Sequence, residues 1–288
     1  MDKTHSFLKT LTIALASLLA STSLIAQERL ISAGSAVTEL VDALGASSQL
    51  VAVDVTSAQP EGKRLPVIGY HRQLSAEGLL ALSPNMLIGS EEMGPKTTLT
   101  LLKNAGVKVE VVNTSPTVDG LLERIDEVAS ITHTNEKASA LKQTVQEKIE
   151  SIQNNHPAKA EQKRVLFLLI HEGRPANVAG SETTPDALIT LAGALNPVAQ
   201  SVKSYKPLST ESLVEMQPDV ILVSGRSWEK LGGADAILKS MPLLAATPAG
   251  KNKAFVTIDG QALVGGLGLK TLEEAQRVNK ILYAPEKN

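Results

Sequence analysis

The sequence predicts an α/β fold of two lobes, each with a central, mainly parallel sheet that is flanked by helices. Apolar strands alternate with amphipathic helices along the chain, which is typical of parallel sheets. A helix–strand pattern occurs twice, at residues 74–90 and 208–224. Between these copies lies a helical stretch long enough to join two lobes, and we expect a ligand cleft between them.

Composition narrows the class of protein. The 288 residues suffice for two lobes, and 43% hydrophobic content is typical of a globular chain. A net charge of −2 argues against nucleic acid as a partner, because nucleic-acid binding asks for a basic surface. The absence of cysteine excludes a lipid anchor on cysteine, disulfides, thiolate metal sites and cysteine nucleophiles.

Residues 1–26 have the pattern of a secretory signal peptide. Lys3 and Lys9 precede a short apolar run, and small residues follow it up to Ala26. The run is too short to span a membrane as a lasting anchor. We therefore expect cleavage after Ala26 and export to the periplasm without a lipid anchor.

The first lobe is predicted at residues 27–117, with four strands and three helices. The strands are expected at 29–34, 50–55, 85–90 and 107–112, and the helices at 35–44, 75–82 and 97–105. Ser75 is the expected N-cap of the second helix, because its hydroxyl can accept a free backbone N–H. Glu77 complements the dipole of that helix, and Pro84 ends it.

The linking segment is predicted at residues 118–157. Its helical periodicity has a weak point at 132–135. The helix that follows, to residue 154, would be about 30 Å long and would form a rigid spine between the lobes. Its apolar stripe consists of Ala138, Leu141, Val145, Ile149 and Ile152.

The second lobe is predicted at residues 158–288 and repeats the alternation. Strands are expected at 164–170, 219–224 and 254–258, and helices at 184–194, 209–216, 234–239 and 271–282.

Residues 74–90, the first repeat unit, align with residues 208–224, the second repeat unit. Six of the 17 positions are identical, and Glu77 and Glu211 occupy the same place in the two helices. Unrelated α/β proteins also reuse such units, because proline commonly follows a helix. The matching acids, on either side of the long helical stretch, favour a true internal repeat.

Several motifs resemble a known family. Residues 34–45, 65–88, 90–95 and 178–193 are similar to periplasmic substrate-binding proteins of ABC importers for iron chelates, haem and cobalamin, and most similar to the haem-binding branch. The run at 69–77 is the part more specific to haem binders. The resemblance implies a binding protein rather than an enzyme, expected as a monomer, that delivers haem to an inner-membrane ABC permease and its ATPase. It leaves open whether haem arrives free or from an outer-membrane receptor.

The resemblance implies that Tyr70 ligates ferric haem iron through its phenolate. A hard anionic oxygen suits Fe(III), and tyrosinate is a known axial haem ligand. A phenol in water ionises only at about pH 10, so iron and nearby cations must favour the phenolate. An extended segment would place Arg72 on the same face as Tyr70 and point His71 away. The alternative is a tyrosine at the cleft edge beside a surface arginine.

Four further residues are candidates for the cleft. Arg226, in a loop after the second repeat strand, lies where α/β folds bind ligands, and the resemblance implies contact with a propionate or with Tyr70. His171 ends a strong strand; it is either a structural histidine or, by resemblance, an iron ligand for a second, stacked haem. Tyr205 precedes the second repeat unit much as Tyr70 precedes the first, and it either lines the cleft or serves only in packing. Met93, after the first repeat strand, is expected to line the haem face.

Glu77 and Glu211 have a separate expected role. The resemblance implies that one acid on each lobe docks onto arginines of the permease. The alternative is that both acids only complement their helix dipoles, which is worth a few tenths of a kcal/mol.

Other functions are less well supported. A cobalamin or ferric-siderophore pocket often has several aromatics or a basic cluster, whereas this chain is only 2% aromatic. Enzyme signatures such as Gly-x-Ser-x-Gly or a phosphate-binding glycine loop are not found. The histidines lack the spacing of a site for bare zinc or manganese ions.

Overall fold

The computed structural model describes residues 28–170 and 173–284, and these contain a four-stranded and a five-stranded sheet. The first sheet has the order β2-β1-β3-β4, with every pair parallel. Its strands are β1 Leu30–Ala33, β2 Leu50–Val53, β3 Met86–Ser90 and β4 Lys108–Val112. The four strands predicted for the first lobe are all present, each within two residues of its expected ends.

Helices cover both faces of the first sheet. They are α1 Ser35–Ala43, α2 Ala76–Leu80, α3 Lys96–Asn104 and α4 Val118–Ile131. One buried apolar cluster contains Leu40 of α1 and Ile125 of α4, and another contains Leu79 of α2 and Leu102 of α3. Gly34, with φ 114°, turns the chain from β1 into α1.

The predicted interlobe helix is present as α5, Asn135–Gln153, and a break at residues 132–134 separates it from α4. Its 19 residues span about 28 Å at ~1.5 Å per residue. Val145 and Ile149 pack in the core of the first lobe, and Ile152 packs in the core of the second. The apolar stripe of α5 therefore connects the two cores.

The second sheet has the order β7-β6-β5-β8-β9. Its strands are β5 Val165–Leu169, β6 Asn177–Ala179, β7 Tyr205–Pro207, β8 Val220–Ser224 and β9 Phe255–Ile258. Pairings among β5, β8 and β9 are parallel, whereas β6 and β7 add antiparallel pairs. The sequence did not predict β6 and β7, because strands of three residues are too short to show an alternating pattern.

The remaining helices are α6 Thr184–Leu191, α7 Thr210–Glu215, α8 Gly225–Leu231, α9 Gly233–Ser240, α10 Pro248–Lys251 and α11 Leu269–Tyr283. Short 3₁₀ turns occur at Ser47–Gln49, His71–Gln73, Lys159–Glu161, Pro242–Ala246 and Gly260–Leu263. The described part of the chain has no helix that is both long and apolar enough to cross a membrane. The lobe boundaries at residues 117 and 157 stay predictions.

Polar contacts also join the lobes at the start of α11. The carboxylate of Glu39 accepts the backbone N–H groups of Leu269 (2.5 Å) and Lys270 (3.0 Å). Burial raises the pKa of Glu39 to about 7, although these two hydrogen bonds favour the charged form. The fully buried Arg124 donates to the carbonyl of Leu267 at 2.9 Å. The N-terminus of α11 is thus held by side chains of α1 and α4.

The two repeat units share their caps and their register. Helix and strand begin 134 residues later in the second unit than in the first. The Ser75 hydroxyl accepts the N–H of Gly78 at 3.3 Å, and the Ser209 hydroxyl accepts the N–H of Ser212 at 3.2 Å. The predicted N-cap at Ser75 is confirmed, and its counterpart has the same geometry.

The turns within the units correspond as well. Ser83 and Gln217 both adopt the left-handed region, with φ of 48° and 43°. An arginine donates through Nε to a carbonyl of each turn: Arg29 to Ser83 (2.8 Å) and Arg164 to Met216 (2.7 Å). The internal repeat predicted from the sequence is therefore present in the structure.

Candidate ligand-binding site

Tyr70 lies near the carboxyl-end edge of the first sheet, in the connection between β2 and α2. The N–H of Val55 donates to the carbonyl of Gly69 (2.8 Å), and the N–H of Ile68 donates to Val53 (3.0 Å). Gly69 has φ 85°, a conformation that favours glycine, directly before Tyr70. The Tyr70 side chain is 39% exposed, so it is accessible to a ligand.

The extended conformation predicted for residues 69–72 is wrong. His71–Gln73 forms a 3₁₀ turn, which the Gln73 N–H closes by donating to the Tyr70 carbonyl at 2.8 Å. The turn buries His71, which is 1% exposed, and places its ring centroid 4.4 Å from that of Tyr70. His71 therefore supports the Tyr70 ring instead of pointing away from it.

A buried carboxylate fixes His71. Nδ1 of His71 lies 3.0 Å from Oδ2 of Asp54. The same Oδ2 accepts the hydroxyl of Thr56 (2.8 Å), and Oδ1 accepts the hydroxyl of Ser57 (2.6 Å). Burial alone would raise the pKa of Asp54, but these donors, His71 first, hold it below its usual range. Burial alone would lower the pKa of His71, but the hydrogen bond to Asp54 and the nearby Glu92 raise it. The two side chains thus form a buried, hydrogen-bonded dyad behind Tyr70, and both pKa shifts favour the charged forms.

Glu92 is the residue that the sequence did not single out. It forms a charge-assisted hydrogen bond with Nη2 of Arg72 through Oε1, and its Oε2 lies 3.7 Å from Nε2 of His71. That buried Nε2 has no hydrogen-bond partner among the described residues. His71 and then Arg72 hold the pKa of Glu92 at about 2, so the carboxylate is charged. Two acids in succession follow β3, and the sequence contains no signal that distinguishes Glu92 from Glu91.

Tyr205 of the second lobe comes close to this cluster. It is 39% exposed, yet the enclosed position of its phenol raises the pKa to about 12, and Glu92 adds to the shift while Arg72 opposes it. The hydrogen bond to Glu92 raises the pKa of Arg72 most, and electrostatic interactions with Tyr70 and Tyr205 add to that shift. Three residues predicted from the sequence, Tyr70, Arg72 and Tyr205, are thus linked electrostatically through Arg72.

The arrangement offers one kind of metal ligand. An ionised phenol is a hard anionic oxygen donor, and the neighbouring guanidinium stabilises negative charge on it. Over residues 28–170 and 173–284, no group of three or more histidine, aspartate or glutamate side chains is placed to hold a metal ion.

The periplasmic binding protein family matches this sequence over residues 30–262, more than four-fifths of the chain. This chain is a periplasmic binding protein. The family predicted from the sequence motifs is therefore confirmed. Members of the family bind substrates and are not enzymes.

Solved structures of other periplasmic binding proteins have the same fold. The haem-binding protein HutB of Vibrio cholerae is 61% identical, with a TM-score of 0.85 over 90% of this chain and all of that one. The haem-binding protein BhuT, solved in complex with two haems, is 36% identical, with a TM-score of 0.80 over 89% of this chain and 98% of that one. These matches confirm the predicted fold class. A vitamin B12-binding protein of Pectobacterium atrosepticum is 26% identical over 73% of this chain and 75% of its own length.

Three other predicted cleft residues have different outcomes. Met93 is 4% exposed and packs in the core of the first lobe, where a Cβ on Gly89 would come within 2.4 Å of its sulfur. The side chain of Met93 thus packs against β3, and its expected contact with the haem face stays a prediction. Arg226 is exposed in the first turn of α8 and not in a loop, because the Ser224 hydroxyl caps that helix directly after β8. His171 lies outside the described residues.

Glu77 and Glu211 are both exposed in the first turns of matching helices, α2 and α7. The backbone N–H of Glu211 and then the Ser209 hydroxyl hold the pKa of Glu211 below its usual range. Both acids are therefore placed as the repeat predicts, one on each lobe.

A cavity of about 840 Å³ is lined by residues of both lobes. Its lining combines the segment after β4 with the start of α6, and includes Glu91, Thr114, Glu182 and Asp186. Tyr70, Arg72 and Tyr205 are not among its lining residues. Because the chemistry lies with those three side chains, we place the candidate site at Tyr70 and not at the cavity.

Proposed function

We propose that this periplasmic binding protein captures haem, Fe(III) protoporphyrin, in the cleft between its lobes and delivers it to an inner-membrane ABC importer. The observation that supports the proposal best is the exposed phenol of Tyr70, because the nearby Arg72 interacts electrostatically with it and with Tyr205 of the other lobe. The 61% identity to a haem-binding protein over 90% of the chain supports the same ligand.

Tyr70 is the proposed iron ligand. Its phenolate oxygen binds ferric iron axially, while the porphyrin supplies the four equatorial nitrogens. Arg72 carries the positive charge that favours the phenolate, and His71, fixed by Asp54, supports the ring from behind. Arg226 reaches a propionate or the Tyr70 phenolate from the second lobe, and Tyr205 is a further cleft residue on that lobe.

Delivery uses the two acids outside the cleft. Glu77 and Glu211 dock onto arginines of the permease, which works together with its ATPase, and the protein acts as a monomer in the periplasm. Placement of the two acids at equivalent positions of the repeat units supports one contact on each lobe.

His171 is the proposed iron ligand for a second haem stacked on the first. The similar protein BhuT was solved in complex with two haems, which supports the idea that this fold can hold a second haem. Titration of the protein with hemin to saturation tests it, because a stoichiometry of one in both wild type and His171→Ala would rule it out.

Cobalamin is the second candidate ligand, since curated relatives at 26% identity are vitamin B12-binding proteins. A ferric siderophore is a further alternative within the class.

The deciding experiment is a titration of the purified protein with hemin, followed by visible absorption, with cyanocobalamin titrated in parallel. We expect a tyrosinate-to-iron charge-transfer band. Tyr70→Phe should abolish the band and weaken haem binding by at least ~100-fold, since loss of even outer-shell partners of a metal costs about 10–100-fold. Tyr205→Phe is the matched control and should keep the band. Unchanged haem affinity in Tyr70→Phe would refute the assignment, and tight binding of cyanocobalamin alone would favour the second candidate.

A further inference from the structure

The carboxylate of Glu92 competes with the Tyr70 phenol for the positive charge of Arg72. Nη2 of Arg72 bonds to Oε1 of Glu92, and Oε2 of the same carboxylate lies 3.7 Å from His71. Glu92 thus sits between His71 and Arg72, the two side chains that directly follow Tyr70 in the sequence. The other titratable groups around it are Asp54, behind His71, and Tyr205, across the cleft.

The backbone holds Glu92 in this place. The N–H of Gly94 donates to the carbonyl of His71 (3.0 Å), and the N–H of Leu74 donates to the carbonyl of Gly94 (2.7 Å). The N–H of Glu92 itself donates to the Ser90 hydroxyl at 3.2 Å. The loop after β3 is therefore joined to the Tyr70 turn on both sides of Arg72, and the carboxylate stays within reach of the guanidinium.

We propose that Glu92 is a positioning residue that holds Arg72 and offsets the positive charge it presents to Tyr70, so that bound haem can be released. The inference rests on the proposed function, because it requires Tyr70 to be the iron ligand. A phenolate bound to Fe(III) is stabilised by a nearby positive charge, and a carboxylate on that cation reduces the stabilisation. A delivery protein needs such a limit, since it must also give up its ligand.

Glu92→Gln is the direct test, because it removes the charge and keeps the size of the side chain. We expect haem dissociation into an excess of a haem-scavenging apoprotein to slow by roughly fivefold, as for a partly exposed charge-assisted contact. The charge-transfer band should move to shorter wavelength, because a more strongly stabilised phenolate gives up its electron less easily. Glu92→Asp, which keeps the charge, should behave nearly as the wild type.

Glu91→Gln is the matched control. Glu91 is the adjacent acid of the same loop and accepts the hydroxyl of Thr114 at 2.9 Å. The same charge is lost one residue away, so we expect an unchanged dissociation rate and an unchanged band.

A double-mutant cycle isolates the route through Arg72. In an Arg72→Ala background, Glu92→Gln should have no further effect on dissociation or on the band. An effect that persists without Arg72, or a Glu92→Gln variant that matches Glu91→Gln, would overturn the inference. If haem-loaded wild type shows no Tyr70-dependent band, the proposed function itself fails. A failure of the Glu92 inference alone is therefore distinguishable from a failure of the proposed function.

Discussion

The two repeat units agree in their scaffold and differ in what precedes them. Both have a serine N-cap, an exposed acid in the first helical turn and a left-handed residue before the proline. Before the first unit, the chain forms a 3₁₀ turn that buries His71 and exposes Tyr70. Before the second unit, it forms β7, Tyr205–Pro207, an exposed strand at the sheet edge.

The difference shows how a duplicated scaffold supports ligand chemistry on one side. The shared features satisfy backbone groups at helix and strand ends, which every such unit requires. The buried His71–Asp54 pair has a different role from these caps. It supports the turn that carries Tyr70 and Arg72. Specificity is therefore expected in the segments that the repeat does not share.

Reversing the charge of the two shared acids, Glu77 and Glu211, is expected to have the largest effect. The double variant Glu77→Arg, Glu211→Arg should abolish growth on haem as the sole iron source, while purified protein still binds haem, because charge reversal turns both docking contacts into repulsion. Each single variant should reduce uptake by a similar amount, since the two acids occupy equivalent positions. Glu215→Arg, at the other end of α7, is the control and should transport normally. Normal uptake by the double variant would contradict the docking role.

Disrupting the His71–Asp54 dyad, which the second repeat unit does not share, is expected to have the next largest effect. Asp54→Asn leaves His71 buried without its counter-charge and weakens the hydrogen bonds from Ser57 and Thr56. We expect the free energy of unfolding to fall by about 3 kcal/mol, typical of removing one partner of a buried ion pair. Denaturant unfolding measures it. A loss below about 0.5 kcal/mol, usual for surface changes, would show that the pair does not stabilise the turn.

The same dyad predicts a pH dependence. The pKa of His71 is raised on folding, so its contribution to stability is complete below about pH 6.5 and is lost as the pH rises through the raised value. The pKa values of Asp54 and Glu92 are lowered, so their contributions are present above about pH 4.5 and are lost on acidification. Stability should therefore decline above about pH 6.5, and His71→Gln should flatten that decline. The raised pKa of Glu39 also lowers stability as the pH rises. Because Glu39 is present in both proteins, its contribution cancels when the pH profiles of His71→Gln and wild type are compared.

The shared caps give the smallest effect. Ser75→Ala and Ser209→Ala should each cost about 1 kcal/mol of unfolding free energy, because each removes the acceptor of one N–H at a helix start. Thermal and denaturant unfolding of the two variants should agree within about 0.5 kcal/mol. A clearly larger loss at one serine would show that the two units are not equivalent in their caps.

Sequence reasoning succeeded where the signal is local and repeated. The N-cap at Ser75, the break between α4 and α5 and the positions of the long strands follow from periodicity and from caps. It failed at β6 and β7, which were not predicted. It also failed at the start of α8, because the segment after β8 was predicted as a loop whereas the Ser224 hydroxyl caps a helix there.

Within the candidate site, the sequence by itself determined the choice of Tyr70 and Arg72 as candidate residues, because a rare aromatic in a specific motif is visible without a structure. It also determined the matching acids, because a repeat preserves spacing. Only the tertiary structure decided that His71 turns inward to Asp54, that Met93 belongs to the core, and that Glu92 and not Glu91 meets Arg72. These contacts join residues 17 to 20 positions apart through chain folding, and no local pattern encodes which of two adjacent acids lies on the inner side of a loop.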